Sequence, residues 1–164
     1  MNPKALYQIT YGLYWLSVRS YGQDNACIIN TAVQVASDPL RITISVNKGN
    51  KTHDMIMDSG RFNVCALTTD TPFSLFQRFG MQSGRDVNKI GELGLTLEKP
   101  DTISVPGIKE VPITLECRVI YKQDQDLNAL AEDRRLRYYK PGTRDDGDFH
   151  TAYYGEVLAA YIIE

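Results

Sequence analysis

The chain has 164 residues, 43% of them hydrophobic and 23% charged, and a net charge of −2. That length suits one domain with a core of its own, the composition argues against disorder, and the near-neutral charge leaves no broad basic field for nucleic acid. No apolar run approaches membrane-helix length and the N-terminus has no signal-peptide pattern, so the expectation is a soluble, cytoplasmic protein.

In chain order, residues 2–9 read as a short helix, with Asn2 as its cap and Pro3 in the first turn. Residues 11–20 are aromatic and β-branched and predict a strand. Tyr21–Asp24 turn the chain into a long strand over 25–37, which Asp38-Pro39 ends. The segment 41–46 alternates, Ile42, Ile44 and Val46 on one face and Thr43 and Ser45 on the other, as a half-buried strand does. A polar loop, Asn47-Lys48-Gly49-Asn50-Lys51, then leads to Thr52, read as the N-cap of a helix over 53–59 with Gly60 as its left-handed stop. A strand over 61–67 follows, then a helix opened by Thr71-Pro72 that runs to about Phe79. Glycines loosen 80–94. Further strands are expected at 95–98, 113–121 and 150–163, with a Pro/Gly-marked stretch over 100–112.

The segment 122–149 is charged, has a helix-like middle at 127–138, and reads as an insertion between two strands. Six or seven strands joined by turns or by three or four short helices favour a mainly β protein, an antiparallel barrel rather than a parallel α/β sheet. One domain over 1–164 is expected.

Several enzyme signatures are missing: there is no GxSxG, P-loop, HExxH or GxGxxG motif, and only two histidines, His53 and His150, are present. Cys27, Cys65 and Cys117 are odd in number, lack metal-ligand spacing and sit in apolar stretches, so they read as reduced, buried thiols. The loop over 47–52 stands out. A strand, a loop with Asn, Lys and Gly, and a helix start bring together backbone N–H groups, a cation and hydroxyls, which is what a phosphate needs. The plainer reading is an ordinary helix-capping loop. The stretch Gly80–Lys89 reads either as a solvated loop or as one whose Arg85 or Lys89 reaches an anionic ligand.

Several stretches carry a further signal: ALYQITYGLYWLSV at 5–18, NACIINTAVQVASDPLRITISVNKGNKTHD at 25–54, SGRFNVCAL at 59–67, TPFSLFQRFGMQSGRDVNKI at 71–90 and DFHTAYYGEVLAAYII at 148–163. In these the sequence resembles the flavin reductase-like family, which includes flavoredoxins, ferric reductases and the flavin domain of high-molecular-weight rubredoxins. SVNKGNKTH and the FG..SGRDVNK pattern are its most specific parts.

The resemblance implies an FMN-binding split barrel of antiparallel Greek-key type, working as a homodimer with flavin near the subunit interface. It implies that Asn30, Thr31, Ala32, Val33 and Gln34 lie along the isoalloxazine edge, and that Ser45, Val46, Asn47, Lys48, Asn50 and Thr52 approach the phosphate and ribityl chain. Asn25, Lys89 and His150 match further flavin contacts, and His53 is placed within reach of the phosphate. Without the resemblance, 30–34 would read as a buried strand and His150 as a strand-end surface histidine. No catalytic side chain is required, because the flavin carries the chemistry.

The activity implied is an FMN oxidoreductase with NAD(P)H as electron donor, passing electrons to free flavin, ferric complexes or a protein acceptor. The alternatives are an FMN electron carrier with poor use of NAD(P)H, or a barrel that binds another ligand without FMN. The family often adds an aromatic tail past the last strand. The 122–149 segment could take its place as a lid, with Tyr138 and Tyr139 as covers; the alternatives are a dimerisation arm or a plain solvated excursion.

Overall fold

The computed structural model describes residues 12–69, 71–139 and 149–164. The helix expected at 2–9 lies outside them. The described elements are β1 (Tyr14–Ser20), β2 (Gln23–Ile29), β3 (Val33–Ser37), β4 (Leu40–Asn47), α1 (Lys51–Ser59), β5 (Arg61–Ala66), α2 (Phe73–Gly80), α3 (Lys89–Glu92), β6 (Leu97–Glu98), β7 (Gly107–Ile108), β8 (Ile113–Asp124), α4 (Glu132–Tyr138) and β9 (His150–Ile162), with a 3-10 turn at Leu127–Ala129.

Seven strands form one antiparallel sheet in the order β2-β1-β5-β8-β9-β4-β3, and β6 pairs with β7 separately. The long strand expected over 25–37 is therefore two strands on opposite edges of the sheet, joined only by Asn30–Ala32. That joint dictates the shape. Strands about 4.8 Å apart would put the edges of a flat seven-stranded sheet roughly 29 Å apart, whereas the chain from Ile29 to Val33 can span at most about 14 Å. The sheet has to curl until its edges meet. No ladder joins β2 to β3, so it is not closed by hydrogen bonds, and Asn30–Ala32 lie along the open seam.

The curl explains the core. Leu16 and Val18 (β1), Ile29 (β2), Ile42, Ile44 and Val46 (β4), Phe62 and Val64 (β5), Cys117 (β8) and Tyr153 (β9) form one buried cluster, to which Met55 and Ile56 of α1 belong. Helix α1 touches both β1 and β4, which are far apart in the sheet order. It plugs the barrel end beside the seam, and Gly60 ends it in the expected left-handed conformation (φ 64°).

A second cluster covers the outer face of β1, β2 and β5. Trp15 stacks on Phe79 of α2 with centroids 4.1 Å apart, among Ala26, Cys65, Phe76, Ile90 and Ile108. Strand β1 is thus buried on both faces, which is why its sequence does not alternate. Where β5 and β8 would expose that face, the segment 101–106 covers it. The Glu116 carboxylate, 0% exposed, accepts from the N–H groups of Asp101 (2.8 Å), Thr102 (2.7 Å) and Ile103 (3.2 Å) and from the hydroxyls of Thr102 (2.6 Å) and Tyr161 (2.9 Å).

The segment expected as an insertion over 122–149 begins as strand: β8 runs to Asp124, paired with Thr151 of β9. The helix expected at 127–138 is split into the 3-10 turn and α4, and residues 140–148 lie outside the described ones.

Candidate functional site

The β4–α1 loop lies at the seam, and its local chemistry explains its shape. Asn47 Oδ1 accepts from the Gly49 N–H (2.6 Å), and the Asn50 N–H donates to the Asn47 carbonyl (3.1 Å), a side-chain-stabilised turn. Helix α1 starts two residues earlier than its sequence suggests: Asn50, not Thr52, occupies the N-cap position and makes no side-chain capping bond. The N–H groups of Lys51 and Thr52 accordingly have no acceptor among the described residues. Thr52 sits inside the first turn, 1% exposed, because its hydroxyl has a different partner, accepting from Asn25 Nδ2 at 3.0 Å.

That bond opens a cleft. Asn25, Cys27, Asn50, Lys51 and Thr52 line one side of a cavity of about 500 Å³, and the loop from Phe79 to Gly84 with Lys89 lines the other. Asn25 is itself only 5% exposed. Gly84 approaches it so closely that a Cβ there would fall 2.2 Å from Asn25 Oδ1, so any side chain would displace either Asn25 or the loop. Arg85 fastens the same loop to α1: its Nε donates to the Gly49 carbonyl (3.1 Å) and its terminal amine pairs with Asp54 (2.7 Å).

Lys89 is buried, donates to the Phe79 carbonyl (3.2 Å) and lies 4.5 Å from the centroid of the Phe79 ring. Burial pulls its ammonium below the usual lysine range, and the nearby Cys27 pulls it back up. Burial in turn pushes the Cys27 thiol up, against the Thr52 hydroxyl and the Lys89 charge. Lys51 has no ion-pair partner among the described residues and lines both this cavity and an adjoining one that contains Asp24 and Asp86. Hydrogen-bond donors and cations thus converge from a helix start, two asparagines and a lysine, a set that fits an anion.

The remaining expected residues fall on the other side of the loop. Thr31, at the seam, donates to the Ser45 carbonyl (2.8 Å) and accepts from its N–H (3.3 Å), so it ties the joint to β4. Ser45, Thr31 and His150 line a second cavity of about 640 Å³ together with Gln123, Gln125, Tyr139 and Ala152. Asn30, Val33 and Gln34 are exposed along the seam and β3, and Ala32 packs against the core. Asn47 and His150 are register partners.

Three expected contacts stand differently. The Val46 side chain is 1% exposed in the core, so only its backbone faces the seam. Lys48 turns to Asp124 (2.9 Å) and stacks over Phe149, and its ammonium does not line the first cavity. The His53 ring points away from that cavity as well. Its Nε2 lies 3.1 Å from Thr151 Oγ1, whose own hydroxyl donates to Asp124 (2.7 Å), so Nε2 is the donor; its Nδ1 faces Asp54 (3.2 Å). Arg85, Asp54, His53, Thr151, Asp124 and Lys48 therefore form one belt that braces the loop from both sides.

Sequence reading did not single out Lys51, Gly84 or Gln125 as site residues, and it named Tyr139 only as a cover on the 122–149 segment. The available signal for Lys51 was its place in the polar loop over 47–52, beside the helix start. Gly84 stood in a recognised pattern, but only the approach of Asn25 shows what a side chain there would displace.

A curled, open antiparallel sheet with an anion-ready cleft at its seam is the split-barrel arrangement of flavin proteins. The profile of the flavin reductase like domain matches residues 6–164, and the chain belongs to the flavin reductase-like family. It is 32% identical over 126 residues to a ferric-chelate reductase (NAD(P)H) of Archaeoglobus fulgidus, covering 73% of each chain. It is 36% identical over 99 residues to the high molecular weight rubredoxin of Moorella thermoacetica, a match to 60% of this chain and 43% of that protein. Less than half of that rubredoxin's length is therefore represented. Among solved structures, the flavoredoxin of Methanosarcina acetivorans superposes with a TM-score of 0.73 at 23% identity, over 94% of this chain and 69% of its own.

Proposed function

We propose that the chain binds FMN across the seam and works as an NAD(P)H-dependent flavin reductase. The observation that carries the reading is the cleft in which the free Lys51 and Thr52 amides, the Thr52 hydroxyl, Asn25 and Lys89 converge opposite Gly84. The phosphate and ribityl chain would be held by Asn25, Asn50, Lys51, Thr52 and Lys89. The ring system would be held at Asn30–Gln34, Ser45, Asn47 and His150, where the seam leaves backbone groups of β3 without a ladder partner.

Acceptance of a hydride and its release as electrons is the chemistry a bound flavin supplies. In the net reaction, NAD(P)H is oxidised to NAD(P)+, and its two electrons reduce one free flavin, two ferric centres or a protein acceptor. The protein's own part is binding and orientation, and it needs no acid, base or nucleophile. The family membership, and the NAD(P)H named for the Archaeoglobus fulgidus relative, support this reading.

A homodimer belongs to the same proposal. Val33, Thr43, Tyr154 and Tyr121 form one row across the outer sheet face, with Val33 58% and Tyr121 54% exposed. The next row, Ser45, Ala152 and Gln123, lines the second cavity. A second copy on this face would cover apolar surface beside the ring site.

The test is the visible spectrum of the protein reconstituted with FMN and then mixed anaerobically with NADH or NADPH. Bound flavin that bleaches within seconds is the expected result. Bound flavin that stays yellow would replace the reductase with an electron carrier, and a colourless protein would end the flavin reading.

A further inference from the structure

The outer face of the sheet carries a charge pattern that the flavin contacts above do not use. Arg41 of β4 is in register with Glu156 of β9, Glu156 with Arg118 of β8, and Arg118 with Arg61 of β5. The four side chains form one row, on the face opposite the one that carries Ile42, Phe62 and Cys117 into the core. On β1 and β2, by contrast, Arg19 is already closed on Asp24 by two bonds (2.7 and 2.6 Å).

Three guanidinium groups in this row share a single carboxylate. Glu156 pairs with Arg118 (2.6 Å). The Arg61 guanidinium reaches only the Ser59 carbonyl (3.5 Å). Arg41 makes no ion pair among the described residues, and its Nε is buried without a hydrogen-bond partner. Arg61 and Arg118 also stand directly opposite each other, and like charges so placed destabilise a sheet. A chain with a net charge of −2 thus keeps a local surplus of cations against its own stability, and an anionic partner would offset it.

The position of the row indicates the partner. Along β4, the second cavity at Ser45 is followed by the apolar row through Thr43, and then by the arginine row at Arg41. Arg41 and Ser45 are four residues apart, about 13–14 Å along an extended strand. A second copy seated on the apolar row, which runs from β3 to β8, leaves Arg61 on β5 outside it. From β5 to β4 the arginine row spans roughly 14 Å, a short track for nucleic acid but enough for a patch of carboxylates, which guanidinium forks bind through paired bonds.

We infer that Arg41, Arg61 and Arg118 form the docking surface for a small acidic electron-transfer protein, the acceptor of the flavin's electrons. The acceptor role rests on the flavin reading; the docking does not. Per turnover, two one-electron acceptor molecules gain one electron each from the reduced flavin, whose protons pass to water as it is reoxidised.

The test begins with binding and needs no flavin. The apoprotein is titrated calorimetrically with the oxidised soluble haem domain of cytochrome b5, an acidic one-electron protein, at about 20 and about 200 mM salt. The Kd is expected to rise about 5- to 10-fold over that range. Arg61→Glu is expected to raise it about 5- to 10-fold at the lower salt without lowering the melting temperature, because it turns a like-charge pair into an opposite one. Lys109→Glu makes the same charge change beside Pro112 and Ile163, at the other end of β8, and should stay within about twofold of wild type. FMN-loaded proteins reduced with dithionite and mixed anaerobically with oxidised cytochrome b5 should rank in the same order by rate. With neutral benzoquinone as acceptor, all three should react alike.

No saturable binding of cytochrome b5, a Kd indifferent to salt or to Arg61→Glu, equal weakening by Lys109→Glu, or equally tight binding of the basic cytochrome c would overturn the inference. Capture of wild type but not of Arg61→Glu by phosphatidylglycerol vesicles, with cytochrome b5 binding unaffected, would give the row to a membrane surface instead. Docking without electron transfer would overturn the acceptor role. Failure to take up FMN would strike the flavin reading and that role, while the docking surface would stand or fall on the apoprotein titration.

Discussion

Gly84→Ala is the most incisive probe of the first cleft. The added methyl would lie 2.2 Å from Asn25 Oδ1 and 3.0 Å from its Cγ, so something must move. If Asn25 swings away, its bond to Thr52 breaks, at a net cost of about 1 kcal/mol, and the hydroxyl of the first helical turn loses its orientation. If the loop yields instead, the Arg85 bonds to the Gly49 carbonyl and to Asp54 are stretched. Those bonds are exposed, so they contribute at most about 1 kcal/mol to stability. Either way the fold should lose no more than about 2 kcal/mol. FMN affinity should fall by about tenfold (about 1.4 kcal/mol) or beyond, because both responses displace groups that face the ligand. Equilibrium urea unfolding of the apoprotein and fluorescence titration with FMN separate the two effects. A Gly84→Ala variant that binds FMN as tightly as wild type would refute the placement of the loop as a cleft wall.

Two other measurements probe the frame and the cleft lining. Glu116→Gln should destabilise the protein by about 1–3 kcal/mol at pH 7, because the new amide turns donors toward buried N–H groups that need acceptors. Burial raises the Glu116 carboxyl, but hydrogen bonds from Thr102, Asp101 and Tyr161 outweigh it and hold the folded value below the ordinary one of 4.5. A depressed folded value means that the stabilisation is present above about pH 4.5 and is lost as the pH falls below it, so the acid limb of the wild-type stability curve should flatten in the variant. Equal melting temperatures for the two proteins at pH 7 would count against the clamp. Among the cysteines, Cys27 alone lines a described cavity, while Cys65 and Cys117 are buried, with Cys65 pushed up to about 11 by burial. Native alkylation followed by peptide mass spectrometry should label Cys27 first, faster as the pH rises, and saturating FMN should slow it about tenfold or more. Labelling unaffected by FMN would move the ligand elsewhere.

Much of this architecture can be read from the residues. The alternation at 41–46 gives β4, and Gly60 gives the end of α1, because each depends on local geometry alone. The 25–37 run misleads for a related reason. It has strand composition throughout, and nothing local marks Asn30–Ala32 as the place where the chain crosses from one sheet edge to the other; that is decided by which strands come between. The start of α1 is misplaced because Thr52 has the composition of a cap, but the buried Asn25 claims its hydroxyl from a distant strand. Lys48 reads as a phosphate cation until the extended β8 brings Asp124 beside it. In each case the missing information is a long-range partner.

The same logic shows why the candidate site is where it is. A sheet whose edges must meet but do not pair leaves one line along which backbone groups stay unpaired and side chains from β2, β3, β4 and α1 converge. Closing that seam with a ladder would satisfy those groups and remove the site. Leaving it open requires bracing from elsewhere, which α1 inside the core, the Arg85-to-Lys48 belt beneath the loop, and the Thr31–Ser45 pair across the joint supply. Variants that weaken the belt should therefore loosen the cleft before they unfold the barrel, whose core clusters include none of the belt residues.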